Sequence, residues 1–277
     1  MLQRLFQIVG LDPSNSSTKL HDTPATVVLH DNPDSKPRQQ PWHYRSAVGC
    51  LSYIQSIVRP DITFAVQQCA KFCHNPKRDH EEAVKHICRY LLSTKDKGLT
   101  LKPDLTKGLE CYVDADFAGS WSHITSHDPL SCNSRTGFVI LYANCPILWK
   151  SRSQSLIALS TTEAEYIALS SALREVIAII HLLEDLQQHG LPIHGSTPVF
   201  KCRTYEDNMS CVSIANNHIT RPRTKHLSLR LHHFRSYIKN KTISVEYIST
   251  KDQLADIFTK PLPKPQFCKL RDALLCW

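Results

Sequence analysis

At Gly108 the hydrophobic period of this sequence changes, and that change limits what the chain can fold into more than any other feature. Before it, apolar residues recur every three or four positions; after it, they alternate or cluster in short blocks rich in β-branched residues. A helical period buries one stripe of a helix and an alternating period one face of a sheet, so two different cores are required. Upstream, Tyr44–Ile57 reads as a helix that stops before Arg59-Pro60-Asp61, where Pro blocks continuation and Asp61 can cap the next helix. That next helix places Ile62, Ala65, Val66, Cys69 and Phe72 on one face, and a third runs from Asp79 with Val84, Ile87 and Leu91 at helical spacing. Residues 11–41 are rich in Asp, Ser, Thr, Pro and Lys without apolar period, so residues 1–41 are taken as a linker ahead of a helical unit at 42–105.

Downstream, Leu109–Asp116, 136–142, 147–150 and 155–160 read as strands, followed by one long helix at 162–188 with Tyr166, Leu169, Leu173, Val176, Ile180 and Leu183 on its apolar face. A strand at 199–205, helices at 208–216 and 226–240, a strand at 243–248 and a helix at 253–259 complete the pattern. Strands mixed with helices predict an α/β sheet covered on its faces over 108–262, with 263–277 as a C-terminal tail.

The 11 cysteines are odd in number, spread from Cys50 to Cys276 and lack any C-x-x-C pair, which argues for free thiols in a reducing, intracellular setting. No run reaches the ~18 apolar residues of a membrane span, and the first ten residues do not form a secretory signal, so no membrane partner is expected. The excess of 33 Lys+Arg over 25 Asp+Glu gives +8. Residues 218–241 hold seven of the basic residues (Arg221, Arg223, Lys225, Arg230, Arg235, Lys239, Lys241), four His and no acid. Such a stretch suits a phosphate-rich partner, although a solvated basic helix face explains it equally well in isolation.

Acidic residues in the second half are few and placed at element ends. Asp114 sits inside an apolar strand, where a charge is costly unless paired or bound to a cation. Glu163 and Glu165 open the long helix, and each matches a capping box, Ser160-x-x-Glu163 and Thr162-x-x-Glu165. Asp207 follows a strand, and Asp256 opens the last helix. Each of these alone is as readily a cap or a turn residue.

Their order and surroundings resemble the ribonuclease H domain of copia-type retrotransposon Pol polyproteins. The resembling segments are Tyr-Val-Asp-Ala-Asp-Phe-Ala-Gly at 112–119, Ser-Arg-Thr-Gly-Phe-Val at 134–139, Leu-Ser-Thr-Thr-Glu-Ala-Glu-Tyr-Ile-Ala-Leu at 159–169, Glu-Asp-Asn at 206–208, Arg-Thr-Lys-His at 223–226 and Gln-Leu-Ala-Asp-Ile-Phe-Thr-Lys-Pro-Leu at 253–262. Upstream, Tyr-Arg-Ser-Ala-Val-Gly-Cys-Leu-Ser-Tyr at 44–53, with Arg-Pro-Asp-Ile at 59–62 and Arg-Tyr-Leu at 89–91, looks like the helical C-terminal end of the same family's reverse transcriptase. The resemblance implies a ribonuclease H-like mixed five-stranded sheet flanked by helices. It also implies metal-dependent endonucleolytic cleavage of the RNA strand of an RNA:DNA hybrid, with Asp114, Glu165, Asp207 and Asp256 as catalytic and metal-binding residues. Two Mg²⁺ ions about 3.5–4 Å apart, replaceable by Mn²⁺, are the implied cofactors. Arg221, Arg223, Lys225, Arg230 and Arg235 would grip the hybrid. The remainder of a Pol polyprotein, polymerase and integrase, is the implied partner, and the implied location is cytoplasmic, in a virus-like particle, or nuclear.

The sequence also departs from the family pattern. No Asp-Asp pair occurs, so polymerase activity is not expected from this chain alone; Ser228 stands where relatives usually carry an acid; and the segment just before Asp256, Ser-Thr-Lys-Asp-Gln, has no His. Two other readings remain at this point: a non-catalytic remnant that binds nucleic acid or serves only as structure, and a strand-transfer catalyst of integrase type. The placement of Glu165 on the first long helix disfavours the latter.

Overall fold

The computed structural model describes residues 1–15, 18–31, 34–39, 41–121, 125–126, 129–191, 200–217 and 228–277. The chain divides into two compact units, one of Met1–Thr100, Gly119–Cys132 and Lys260–Trp277, the other of Leu101–Ala118 and Asn133–Thr259.

The first unit is helical: α1 (Leu2–Val9), α2 (Tyr44–Ile57), α3 (Thr63–Ala70) and α4 (Arg78–Ser93) precede the sheet in sequence, and α8 (Lys264–Leu275) follows it. α1 lies within the stretch read as a linker. Its Leu5, Phe6 and Val9 are buried, a helical spacing that the polar composition of 11–41 obscured. α8 likewise occupies the supposed tail, burying Phe267, Leu270, Leu274 and Leu275. Asp61 does not cap α3. It is buried and accepts a two-pronged bond from Arg59 (Nε to Oδ1 2.9 Å, a terminal nitrogen to Oδ2 2.8 Å) and another from the Tyr90 hydroxyl. Arg59 also donates to the Thr94 hydroxyl at 2.8 Å, and its guanidinium stacks 5.3 Å from the Tyr90 ring centre and 5.2 Å from that of Trp277.

The second unit is a five-stranded sheet, β1 (Leu109–Asp116), β2 (Arg135–Tyr142), β3 (Cys145–Ser153), β4 (Cys202–Glu206) and β5 (Ile243–Tyr247), in the order β3-β2-β1-β4-β5. β1 is central, antiparallel to β2 and parallel to β4; β5 is parallel to β4. With helices packed on it, this is the ribonuclease H-like arrangement. The crossover from the antiparallel to the parallel side runs through α5 (Thr161–Gln188), while α6 (Met209–Asn216) and α7 (Ser228–Lys239) separate β4 from β5. Leu109, Cys111, Val113 and Ala115 alternate along β1 to form one buried face with α5. Ala164, Ala168 and Ala172 on α5 are fully buried at four-residue spacing, so small side chains line its approach to the sheet. By length and composition α5 could cross a membrane, but its buried Ala, Leu and Val residues form the core of this unit.

Two expected elements differ. Residues 155–160 form no strand: β2 begins at Arg135, whose partner on β3 is Ser153, so the ladder ends there. Leu156, Ile157 and Leu159 are exposed, and Ser160 caps α5. The expected helix at 253–259 is a 3₁₀ turn, Leu254–Phe258, whose start is fixed by the buried Gln253 side chain: its Oε1 accepts from Ala255 N at 3.2 Å and its Nε2 donates to Val113 O at 2.9 Å.

That turn lies on β2 where Gly137 stands opposite Asp114. A Cβ at Gly137 would meet Thr259 Cγ2 at 2.5 Å, Phe258 Cβ at 2.8 Å and Ala255 O at 3.1 Å. The glycine of Ser-Arg-Thr-Gly-Phe is therefore a space requirement. We expect Gly137→Ala to lower stability by roughly 1–3 kcal/mol, as overpacking does, read as a drop in the denaturant midpoint; an unchanged midpoint would show that the turn is not seated on β2.

Candidate metal centre

The sheet reverses direction at β1, and the carboxyl ends of parallel strands on either side of such a reversal leave a crevice. Asp114 lies near the carboxyl end of β1 and Asp207 directly follows β4, its parallel neighbour. Glu165 reaches the same place from the first turns of α5, and carboxylate oxygens of Asp114, Glu165 and Asp207 all lie within 4.8 Å of one another. Asp114 and Glu165 are buried, Asp207 is half-buried. The two competing capping boxes are resolved by the hydrogen bonds. Ser160 Oγ accepts from Glu163 N at 3.2 Å and Glu163 Oε2 accepts from Leu159 N at 2.9 Å, so Glu163 closes the helix end and Glu165 faces the other acids.

Burial is the largest cause raising the Glu165 pKa far above the usual carboxylate range, followed by the charges of Glu206, Asp114 and Asp207; an Ala115 backbone bond opposes them. Glu165 Oε2 is buried without a hydrogen-bond partner. Glu206, the last residue of β4, is fully buried; burial again leads in raising its pKa, ahead of Asp114 and Asp207, while bonds from the backbone of Asn208 and Asp207 lower it. Its Oε1 accepts from Asn208 N at 3.1 Å, within the turn that presents Asp207. Sequence reasoning passed over Glu206 as a mere neighbour of Asp207. The alternation Cys202, Thr204, Glu206, all buried, was the signal that it points inward.

The residues fit a hard divalent cation: three carboxylates converge, one with a buried unpartnered oxygen, and the adjacent thiol is held protonated. That thiol is Cys211, fully buried, its pKa driven up by burial and by Glu206, Glu165 and Asp207. The three groups that converge within 4.8 Å offer carboxylate oxygens, the donors a hard cation prefers.

No protein-family model matches the chain. Curated relatives do: it is 35% identical over 227 residues to the retrovirus-related Pol polyprotein from transposon RE2 of Arabidopsis thaliana, a match covering 82% of this chain and 14% of that protein. It is 36% identical over 230 residues to the corresponding polyprotein from transposon TNT 1-94 of Nicotiana tabacum, covering 82% of this chain and 16% of the other. The chain belongs to the copia-type retrotransposon Pol polyproteins. It spans about one seventh of the length of these relatives. Among solved structures, LC11-RNase H1, isolated from compost, aligns over 55% of this chain and 92% of its own, at 14% identity and a TM-score of 0.37.

Within this Pol segment, Asp256 is fully buried in the 3₁₀ turn and is not among the three acids whose oxygens mutually approach within 4.8 Å. Its turn is nonetheless tied to the centre, because Thr259 Oγ1 donates to Asp114 Oδ2 and approaches Asp256 O at 3.2 Å. Asp207 Oδ2 accepts from Thr250 Oγ1 at 2.7 Å. Asp116 is half-buried opposite Arg135 on β2. Of the basic residues, Arg230 and Arg235 stand on α7, with Arg235 half-buried; Arg221, Arg223, Lys225 and the Arg230 side chain lie outside the described residues.

A carboxyl whose folded pKa exceeds its unfolded value contributes stability that is complete below the unfolded pKa and is lost as pH rises toward the folded one. Glu165 and Glu206 both have this sign, so the metal-free chain should gain stability on acidification from pH 8 to 5. Glu165→Gln removes one ionisable member, so it should raise metal-free stability at pH 7 by roughly 1–3 kcal/mol and flatten this pH dependence. Added Mg²⁺ should stabilise the wild type more at pH 8 than at pH 6, because binding expels protons. Melting curves across pH, with and without Mg²⁺, check both; a Glu165→Gln chain less stable than the wild type without metal would contradict this electrostatic account.

Proposed function

We propose that this ribonuclease H-like domain cleaves the RNA strand of an RNA:DNA hybrid endonucleolytically, using Mg²⁺ held by Asp114, Glu165 and Asp207, with Asp256 as the fourth acidic residue. The convergence of three carboxylates within 4.8 Å at the carboxyl ends of β1 and β4, in a chain of this family, carries the reading. When bound, two Mg²⁺ ions supply an activated water and charge stabilisation at the leaving 3′ oxygen.

The protein's own residues prepare that chemistry. Asp114 and Glu165 are sunk in the sheet and helix core, which holds them in place; Asp207, half-buried, leaves the centre open to a phosphate. A bound cation would favour the ionised form of Glu165, against the burial that raises its pKa. Without a cation these carboxyl groups offer nothing to stabilise the charge developing on a phosphate, so cleavage is metal-dependent. The basic segment at 218–241 offsets the charge of the incoming backbone, and 2′-hydroxyls on the hybrid distinguish its RNA strand. In a full Pol polyprotein, the polymerase would deliver this hybrid.

The test is incubation of the purified chain with a labelled RNA:DNA hybrid and Mg²⁺. We expect RNA-strand cleavage, with Asp114→Asn, Glu165→Gln and Asp207→Asn each reducing kcat by at least about 100-fold, the upper range for losing a metal-site partner. A wild-type chain that binds Mg²⁺ and hybrid without cleaving would establish the non-catalytic remnant instead. For the basic segment, Arg221→Ala and Arg223→Ala should each lower the slope of log affinity against log salt by about one unit. An unchanged slope would remove these side chains from the phosphate contact.

A further inference from the structure

We propose that Thr259 is a positioning residue of the metal centre: its buried hydroxyl holds the Asp114 carboxylate in ligating orientation, with Gly137 providing the space that sets the threonine rotamer. This rests on the metal-centre reading above. Thr259 is fully buried, and its single hydroxyl proton has two acceptors in reach, Asp114 Oδ2 and Asp256 O. The carboxylate is the closer and, when ionised, the stronger acceptor, so the proton goes there. Rotation of the side chain is blocked from the other direction. The Thr259 methyl occupies the volume a Cβ would take at Gly137, 2.5 Å from that ideal position, and Gly137 is the residue directly opposite Asp114. A β-branched side chain with its methyl lodged on β2 and its hydroxyl on Asp114 has one rotamer available. Thr259 is also three residues from Asp256 in the same turn, so one side chain ties β1, β2 and the segment of the fourth acid together.

Thr250 is the internal contrast. It donates to Asp207 Oδ2 at 2.7 Å but is exposed, so water replaces its hydroxyl at little cost.

The experiment compares wild type, Thr259→Val, Thr259→Ser, Thr259→Ala and Thr250→Val by Mn²⁺ binding calorimetry, by the Mg²⁺ concentration giving half-maximal hybrid cleavage, and by thermal melting. Thr259→Val keeps shape and loses the hydroxyl. It should weaken Mn²⁺ binding and raise the half-saturating Mg²⁺ by about 10–100-fold, the usual cost of removing a ligand's hydrogen-bond partner, with KM for hybrid unchanged. Thr259→Ser should restore binding, and Thr250→Val should stay within about twofold of wild type. A folded Thr259→Val chain with wild-type metal affinity overturns the inference, as does a Ser variant no better than Val. Should the Val variant not fold, the Ala and Ser pair decides: equal Mn²⁺ affinity overturns, loss in Ala alone supports. A wild type that binds Mn²⁺ without cleaving hybrid removes the nuclease reading while the binding series still judges Thr259; a wild type that binds no Mn²⁺ removes both.

Discussion

Like charges brought together out of water are the constraint around which the sheet unit is organised. Asp114, Glu165 and Asp207 converge at the carboxyl ends of two neighbouring parallel strands, with Glu206 buried behind Asp207 and raising Glu165 further. Desolvation first, and the neighbouring carboxylates after it, oppose ionisation of Glu165 and Glu206, and the fold carries that cost through the apolar face of β1 against α5. The small side chains of Ala164, Ala168 and Ala172 belong to this arrangement: they line the part of α5 nearest the helix end on which Glu165 stands. Such a centre is poorly satisfied by protein alone, which is the condition under which a cation binds with effect.

The helical unit handles a buried carboxylate in the opposite way. Asp61 has Arg59 across two hydrogen bonds and Tyr90 on the same oxygen, while Thr94 takes part of the guanidinium's remaining capacity. Both carboxylate oxygens are engaged, and the Arg59 pKa is raised by Asp61 and Tyr90 despite its burial. A buried acid with a complete set of partners is structural; a buried acid with a free oxygen among other acids is available for chemistry. Both kinds occur in this chain, and only the second coincides with the strand ends where the sheet reverses.

The elements legible in the sequence were those whose signal is local. β1 and α2 have the limits that period and punctuation predict, and Glu163 and Glu165 were both recognised as helix-start residues. Which of the two caps the helix was decided by hydrogen bonds at Ser160 and Leu159 that no spacing rule reveals. The failures have long-range causes. Asp61 looked like a cap because its partner Tyr90 is 29 residues away. Residues 155–160 looked like a strand because they are apolar, but a strand needs a neighbour and the ladder had already ended at Ser153. Gly137 was legible only as a glycine within the strand at 136–142, because its role depends on Thr259, far along the chain.

Net charge illustrates the same distinction between sum and position. A total of +8 hides an uneven distribution along the sequence: seven positive charges fall within 218–241, while the carboxyl groups of Asp114, Glu165 and Asp207 converge at the metal centre. On the proposed function, a nucleic-acid backbone is attracted by the first and engaged at the second only through a cation. The basic segment acts on encounter within about a Debye length, so added salt weakens it, whereas at the buried centre screening is weaker. On the proposed function, binding and cleavage respond to different ions, monovalent salt weakening the grip and divalent metal enabling the cut.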